Sequence, residues 1–218
     1  MSKKVAVLLS GCGVFDGAEI HESVVTLLEL DKAGASVTCM APDIMQHKVV
    51  NHLTNLKSDE TRNVLVESAR IARGEIINIS SADVRDFDAL ILPGGFGAAL
   101  NNCDFAVNGP AGEVNSDVKS LVQAFHSAGK PIGAMCIAPA LIALALKDKG
   151  IQLTIGTDEG VAGGIRALGN VHVNCASEEI VCDEENKVVT TPAYMTAGGI
   201  AQAAEGISKL VKKILDLA

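Results

Sequence analysis

The sequence feature that most constrains the fold is an alternation of short aliphatic runs with longer segments of helical periodicity. Strands buried on both faces read as unbroken apolar runs, and helices that cover a sheet carry apolar residues at intervals of three and four. The alternation is typical of an α/β fold, and we predict a doubly wound sheet of mainly parallel strands. The predicted strands are residues 5–9, 35–40, 89–92, 131–135 and, more weakly, 151–155, and the predicted helices are residues 20–33, 61–71, 114–128 and 138–146.

Turn residues mark several boundaries of these elements. Gly34 and Gly129 each follow a predicted helix and precede a predicted strand, which is a common place for a glycine that ends a helix. Residues 179–183 and 187–191 flank an acidic turn, so we predict a hairpin at the sheet edge. Residues 196–217 carry apolar side chains on one face and predict a long amphipathic helix.

Length and composition indicate a single domain over residues 1–218. The chain has 48% hydrophobic residues, and we see no composition shift or internal repeat. One hydrophobic core commonly supports about 200 to 250 residues before a chain divides into domains. Residues 41–60 are less regular, and we interpret them as an insertion that shapes the rim of a site.

Charge and hydropathy argue against two classes of partner. The formal net charge is −8, so the protein repels phosphate backbones and anionic lipid headgroups. No apolar stretch approaches the roughly 20 residues that span a bilayer, and no secretion or transit signal is recognised. We therefore expect no nucleic-acid or membrane partner, and a cytoplasmic location.

The six cysteines show no paired spacing of a metal site or redox motif, and most of them read as small buried hydrophobes. Cys136 differs, because it lies where an apolar predicted strand passes directly into a predicted helix. This pattern resembles a nucleophile elbow, in which a sharp turn exposes a reactive atom above the sheet. We expect the helix N-terminus to favour its thiolate form. A small residue that fills a tight turn fits the local pattern equally well.

Two other strand ends could supply partners for this thiol. Gly94 and Gly95 follow a strand and could aim backbone N–H groups at an oxyanion, or could form a plain turn. Glu19 and Glu22 begin the first helix and could act as acid or base, although the local pattern favours two solvated acids beside the helix N-terminus. The glycines of residues 11–17 depart from the dinucleotide-binding spacing, and we expect no cofactor or metal.

Several motifs, in order, resemble the ElbB-type branch of the ThiJ/PfpI superfamily over essentially the whole chain. They are SGCGVFDGAEIHE at residues 10–22, TRNVL at 61–65, PGGFGAA at 93–99, GKP at 129–131, MCIAP at 135–139 and VTTPAYM at 189–195.

The resemblance implies a flavodoxin-like three-layer sandwich related to the glutamine amidotransferase domain, and a homodimer. It implies that Cys136 is the reactive cysteine and Glu22 its acidic partner. Gly94 and Gly95 then take the place of the oxyanion-hole glycines, and Ile137 supplies a further backbone N–H.

The chain departs from protease-like and amidotransferase relatives in its third catalytic member. Position 137 is isoleucine, and residues 154–158 contain no histidine that could protonate a leaving amine. The ElbB-type resemblance instead implies a cofactor-independent glyoxalase that converts a small dicarbonyl, glyoxal, to glycolate, with a link to isoprenoid biosynthesis. Two alternatives stay open: a redox-sensing or protein-protecting role of Cys136, and a glutaminase-like subunit that needs a partner.

Overall fold

The computed structural model describes residues 2–218, and its strands and helices alternate along most of the chain. The strands are β1 Lys4–Leu8, β2 Ser36–Ala41, β3 Val49–Asn51, β4 Leu56–Ser58, β5 Ile76–Asn78, β6 Ala89–Leu92, β7 Ile132–Met135, β8 Gln152–Leu153, β9 Val171–His172, β10 Val181–Asp183 and β11 Val188–Thr191. The α-helices are α1 Ile20–Lys32, α2 Val64–Ile71, α3 Phe96–Leu100, α4 Phe105–Asn108, α5 Ser116–Ser127, α6 Ala138–Ala145, α7 Glu159–Ala167 and α8 Ile200–Leu217.

Seven of these strands form one central sheet in the order β10, β11, β7, β6, β1, β2, β5. All neighbours pair in parallel except β10 and β11, which form the antiparallel hairpin predicted at the sheet edge. From β1 the chain runs outward through β2 to β5, then returns to β6 and continues in the other direction. The switch point lies between β1 and β6, where ligands of open α/β sheets bind beyond the carboxyl ends of the strands.

Helices cover both faces of the sheet, which confirms the predicted α/β sandwich. On one face, α1 and α8 pack against each other and on the sheet, with α8 on β7 and β11, through a cluster that includes Leu30, Ile207 and Leu210. On the other face, α5 and α6 pack through a second cluster that includes Phe125 and Leu141. Between residues 2 and 218, no helix is both long enough and apolar enough to cross a membrane.

The strongly periodic segments fold as predicted. The predicted helices at 20–33, 114–128 and 138–146 match α1, α5 and α6 to within two residues at each end, and the four stronger strand predictions match β1, β2, β6 and β7. Gly34 and Gly129 have φ angles of +70° and +64°, as their predicted role at helix ends requires.

Two regions differ from the sequence prediction. Residues 151–155 contribute only β8, which pairs with β9 in a separate two-stranded sheet. Residues 41–60 contain the β3–β4 hairpin, which packs on the loop at residues 11–17, where His52 accepts a hydrogen bond from the Phe15 N–H at 3.2 Å. The hairpin does not itself line the cavity at Cys136, but Lys48 lies 5.8 Å from the ring centroid of the cavity-lining Phe96, and a role of residues 41–60 in shaping the rim of a site stays a prediction.

Candidate active site

Cys136 lies at the turn between β7 and α6 and holds a backbone conformation that is unusual for a residue with a side chain. Its φ is +59°, in the left-handed region. Its N–H donates to the Thr191 carbonyl at 3.1 Å, which continues the β7–β11 pairing, while α6 begins only two residues later. Such strained conformations cost about 1–3 kcal/mol and cluster at functional sites. The turn has the strand-to-helix geometry of a nucleophile elbow.

Glu22 is fully buried beside this cysteine, on the first turn of α1. Its Oε2 accepts a hydrogen bond from the Gly94 N–H at 2.8 Å, and its Oε1 accepts one from the Tyr194 N–H at 3.2 Å. Glu19 begins the helix by accepting the Glu22 N–H through its Oε2 at 2.7 Å. These contacts fix the carboxyl group against the thiol, so the local alternative of two solvated acids is wrong for Glu22.

The two glycines after β6 contribute differently to the site. The Gly94 N–H donates to Glu22, whereas the N–H groups of Gly95 and Ile137 lie near Cys136 and lower the pKa of its thiol. A Cβ on Gly94 would lie 2.7 Å from Glu22 Oε2 and 3.0 Å from Cys136 Sγ, so only glycine lets the strand end approach the pair. The structure therefore brings together all five predicted residues: Cys136, Glu22, Gly94, Gly95 and Ile137.

The protonation of this pair is set mainly by burial. Burial, and then the charge of Glu19, raise the pKa of Glu22 to about 7, although two backbone N–H groups and the thiol act in the opposite direction. Burial, and then the negative charge of Glu22, raise the pKa of Cys136 above its usual value, against the N–H groups of Gly95 and Ile137. Our expectation that the helix N-terminus favours the thiolate is not supported, because desolvation outweighs it.

These directions describe a neutral thiol next to a carboxyl group that titrates near neutral pH. The thiol can donate its proton to the Glu22 carboxylate, and the sulfur can then act as a nucleophile. The N–H groups of Gly95 and Ile137 can stabilise negative charge that develops next to the sulfur. The site thus has one nucleophile, one acid or base, and two oxyanion donors.

A cavity of about 620 Å³ opens over Cys136. It is larger than the pair itself requires, and its far wall is formed by α7 and the Gly109–Ala111 turn. The lining residues are Val14, Gly95, Phe96, Phe105, Ala106, Gly109, Pro110, Cys136, Ile137, Asp158, Gly160, Val161, Gly163, Gly164, Tyr194 and Met195.

Tyr194 is a site residue that the sequence reasoning did not single out. Its N–H holds Glu22, and its hydroxyl group is 2.8 Å from Nδ1 of the exposed His21. The preceding Ala193 has a φ of +44°, which turns the chain after β11 toward Glu22. The PAYM motif was the available signal, but residue type alone does not indicate where a backbone N–H points.

Among the described residues 2–218, no histidine lines the cavity. The sequence analysis found no histidine as a third catalytic member, and within these residues the structure places none there from another part of the chain. His21 faces Tyr194 and solvent on the helix that carries Glu22. Within the same residues, no group of three or more His, Cys, Asp or Glu side chains is placed to hold a metal ion.

Together, the sheet topology and the site define an α/β protein with a nucleophile-elbow cysteine at the carboxyl end of a central strand. The chain belongs to the DJ-1/PfpI family, whose sequence profile matches residues 3–212.

Similar proteins include relatives named for an amidotransferase-like domain. The chain is 45% identical to the human glutamine amidotransferase-like class 1 domain-containing protein 3, mitochondrial, over 98% of this chain and 83% of that protein. It is 32% identical to the zebrafish ES1 protein, mitochondrial, over 97% of this chain and 84% of that protein. Both names place those relatives in mitochondria, and a cytoplasmic location for this chain stays a prediction.

Solved structures agree with the fold. A crystal structure of an isoprenoid biosynthesis protein with an amidotransferase-like domain from Ehrlichia chaffeensis superposes with a TM-score of 0.93, at 38% identity and covering 99% of each chain. Drosophila melanogaster DJ-1beta superposes with a TM-score of 0.57 at 22% identity, covering 100% of this chain and 96% of that one. The second likeness concerns the fold alone.

Proposed function

We propose that this protein is a cofactor-independent glyoxalase of the ElbB-type branch, which converts glyoxal to glycolate. The observation that supports the proposal is the buried Cys136–Glu22 pair, whose sulfur and carboxyl oxygen both lie within about 3 Å of where a Cβ on Gly94 would be. One nucleophile and one proton-transfer group are sufficient for this reaction, since it needs no leaving amine and no redox partner.

The first step is the addition of sulfur to one aldehyde carbon. The Cys136 thiol gives its proton to the Glu22 carboxylate as its sulfur forms a bond to that carbon. The former carbonyl oxygen gains negative charge and is held by the N–H groups of Gly95 and Ile137. It then takes the proton back from Glu22, which gives a neutral hemithioacetal and restores the carboxylate.

The second step moves a hydrogen between the two carbons as a proton. The Glu22 carboxylate removes the proton from the carbon that carries sulfur, and the electron pair gives an enediolate with its negative charge on the second oxygen. The hydroxyl proton on the sulfur-bearing carbon passes to that second oxygen. Glu22 then returns its proton to the other carbon, which leaves a thioester on Cys136. One carbon is oxidised and the other is reduced, so no external oxidant or reductant is consumed.

Hydrolysis of the thioester completes the reaction. One water molecule adds to the thioester carbon, the C–S bond breaks, and glycolate leaves as the cysteine regains its proton. The sum is one glyoxal and one water giving one glycolic acid. Until this hydrolysis, one carbon of the substrate stays bonded to Cys136, and both carbons stay within reach of Glu22.

The two alternative roles have less support. Selective oxidation requires thiolate character and exposure, whereas burial raises the pKa of Cys136 and leaves the residue 8% exposed. Glutamine hydrolysis requires a proton donor for the departing amine, and no histidine lines the cavity in the described residues 2–218.

The direct test is glycolate formation from glyoxal without added cofactor or thiol. We expect turnover by the wild type and by Cys175→Ser, which changes a half-buried thiol that does not line the cavity. We expect none from Cys136→Ser or Glu22→Gln, with folding checked by circular dichroism. Equal turnover by wild type and Cys136→Ser would exclude the cysteine mechanism.

We also propose a homodimer, as the family resemblance implies. Three apolar side chains on one face of α1, Ile20, Val24 and Leu28, are each more than 40% exposed. Sedimentation of wild type beside Val24→Lys tests the proposal, because a monomeric wild type, or a dimer that Val24→Lys leaves intact, would contradict pairing through this face.

A further inference from the structure

The cavity over Cys136 is much larger than the substrate of the proposed reaction. Its volume is about 620 Å³, within the roughly 300–1,000 Å³ of pockets that hold drug-sized ligands. Glyoxal has only two carbon atoms and would occupy the end of the cavity at the sulfur. The rest of the cavity is lined by residues that include Phe96, Phe105 and four residues of α7.

The walls of this additional space are mainly apolar. Phe105 is 7% exposed and lies against α7, where Gly164 leaves room for its ring: a Cβ there would be 2.7 Å from Phe105 Cζ. Phe96, Ile137 and Met195 contribute further apolar side chains. Such a surface favours an apolar substituent, since each buried CH₂ contributes about 0.8 kcal/mol.

The residues that line the cavity carry no positive charge, and the ammonium group of Lys48 lies outside the lining, 5.8 Å from the ring centroid of Phe96. They include no Lys, Arg or His, and the lining carboxylate, Asp158, is occupied as the cap of α7, where it accepts the Val161 N–H at 2.9 Å. Glu22 adds a second titratable acid beside the cavity, and the protein as a whole carries a formal charge of −8. A carboxylate or phosphate on the substrate would therefore be buried without a partner, which is costly.

We propose that the preferred substrates are uncharged 2-oxoaldehydes with an apolar substituent the size of a six-membered ring, a specificity that rests on the proposed glyoxalase function. The aldehyde carbon bonds to Cys136, and the substituent on the neighbouring ketone carbon occupies the apolar part of the cavity, against Phe105 and Gly163 of α7. The proton moves from the aldehyde carbon to the ketone carbon, and water releases the thioester. The product is a 2-hydroxy acid, with the same internal exchange of oxidation state as in glyoxal conversion.

Gly163 on α7 gives a way to fill this space. It lines the cavity, and a Cβ built on it would meet no atom within 4 Å. Leucine also has a higher helix propensity than glycine, so Gly163→Leu should narrow the cavity without loosening α7. Ala167, exposed at the end of the same helix and absent from the lining, provides the matched control Ala167→Leu.

The kinetic experiment compares kcat/KM for phenylglyoxal, 4-carboxyphenylglyoxal and glyoxal. We expect phenylglyoxal to exceed both glyoxal and its carboxylated analogue by about tenfold or more, because even one methylene in an apolar pocket changes specificity by about that factor. We expect Gly163→Leu to lower the phenylglyoxal-to-glyoxal ratio by about tenfold, and Ala167→Leu to leave it unchanged. If the wild type turns over glyoxal and its kcat/KM for phenylglyoxal is about equal to that for glyoxal, the proposed specificity is overturned while the glyoxalase function stands.

A binding experiment tests the apolar cavity independently of the proposed reaction. Acetophenone has the ring and ketone of phenylglyoxal but no aldehyde, and benzoate adds a charge; ligand-observed NMR can detect the binding of each. We expect acetophenone to bind wild type and Ala167→Leu, to lose binding to Gly163→Leu, and to bind more tightly than benzoate. If no 2-oxoaldehyde is turned over but this pattern holds, the proposed function fails and the apolar site stands. Equal binding of acetophenone by wild type and Gly163→Leu would overturn the site.

Discussion

In the proposed reaction, the carboxyl group of Glu22 accepts and returns the proton, so turnover should depend on its protonation state. It is fully buried, yet it accepts two backbone hydrogen bonds and has a pKa near 7. A carboxyl group with this pKa can accept the thiol proton and return it at neutral pH, which is the range in which acid–base catalysis is most effective. Its position could be predicted from the family motif, but its contact with Tyr194 could not, because that contact depends on the left-handed backbone of Ala193.

The pH dependence of turnover should follow Glu22. Because the carboxylate is the active form, kcat/KM for glyoxal should rise with pH and level off above about 7. The negative charge of Glu19 raises the Glu22 pKa, so Glu19→Gln should move the midpoint to lower pH while its amide oxygen still caps α1. Glu29→Gln, on the same helix but paired with Lys32, is the control. A midpoint that stays in place in Glu19→Gln would contradict the assigned cause.

At the level of secondary structure, prediction succeeded where periodicity was strong and failed where elements are short or glycine-rich. Helices α1, α5 and α8 have clear apolar faces, whereas α3 and α4 span only five and four residues. Helix α7 contains three glycines and was missed, although it forms the far wall of the cavity. Thus the catalytic end of the site could be predicted from the sequence, but the wall that determines its size could not.

Two helical glycines should respond in opposite ways to alanine. A Cβ on Gly206 of α8 would lie 2.5 Å from Thr191 Oγ1 and would also clash with the Ser177 carbonyl, whereas Gly163 of α7 has open space. Gly206→Ala should lower the free energy of unfolding by about 1–3 kcal/mol through overpacking. Gly163→Ala should raise it by about 0.5–1 kcal/mol, because alanine is the better helix former. Urea unfolding of both variants tests this, and stabilisation by Gly206→Ala would refute the close packing of α8 on β11.

For the whole molecule, burying Glu22 links folding to pH. Its pKa rises from its usual 4.5 to about 7 on folding, so folding favours the protonated form. The resulting stabilisation is fully present below pH 4.5 and is lost as pH rises through about 7. At about 1.4 kcal/mol for each pH unit, the loss is about 3 kcal/mol.

Chemical denaturation at several pH values measures this effect. Relative to Glu22→Gln, wild type should lose stability between pH 5 and pH 8, and the difference between the two proteins isolates Glu22 from all other titrating groups. A constant difference across this range would show that folding does not raise the Glu22 pKa. Because the N–H groups of Gly94 and Tyr194 point at different oxygens of Glu22, glutamine would turn its amide NH2 group toward one of them, so Glu22→Gln should also carry a cost that does not vary with pH.

The central claim is that Glu22 carries a proton between two carbons held on Cys136. Its most direct test is turnover of ordinary glyoxal by the wild type in D₂O, with the glycolate methylene group examined by NMR. Passage through Glu22, which exchanges its proton with solvent, predicts glycolate with one deuterium on that carbon in a measurable fraction of the product. Product that retains only protium there would mean that the transferred hydrogen never equilibrates with an exchangeable group such as the Glu22 carboxyl, and would contradict the account.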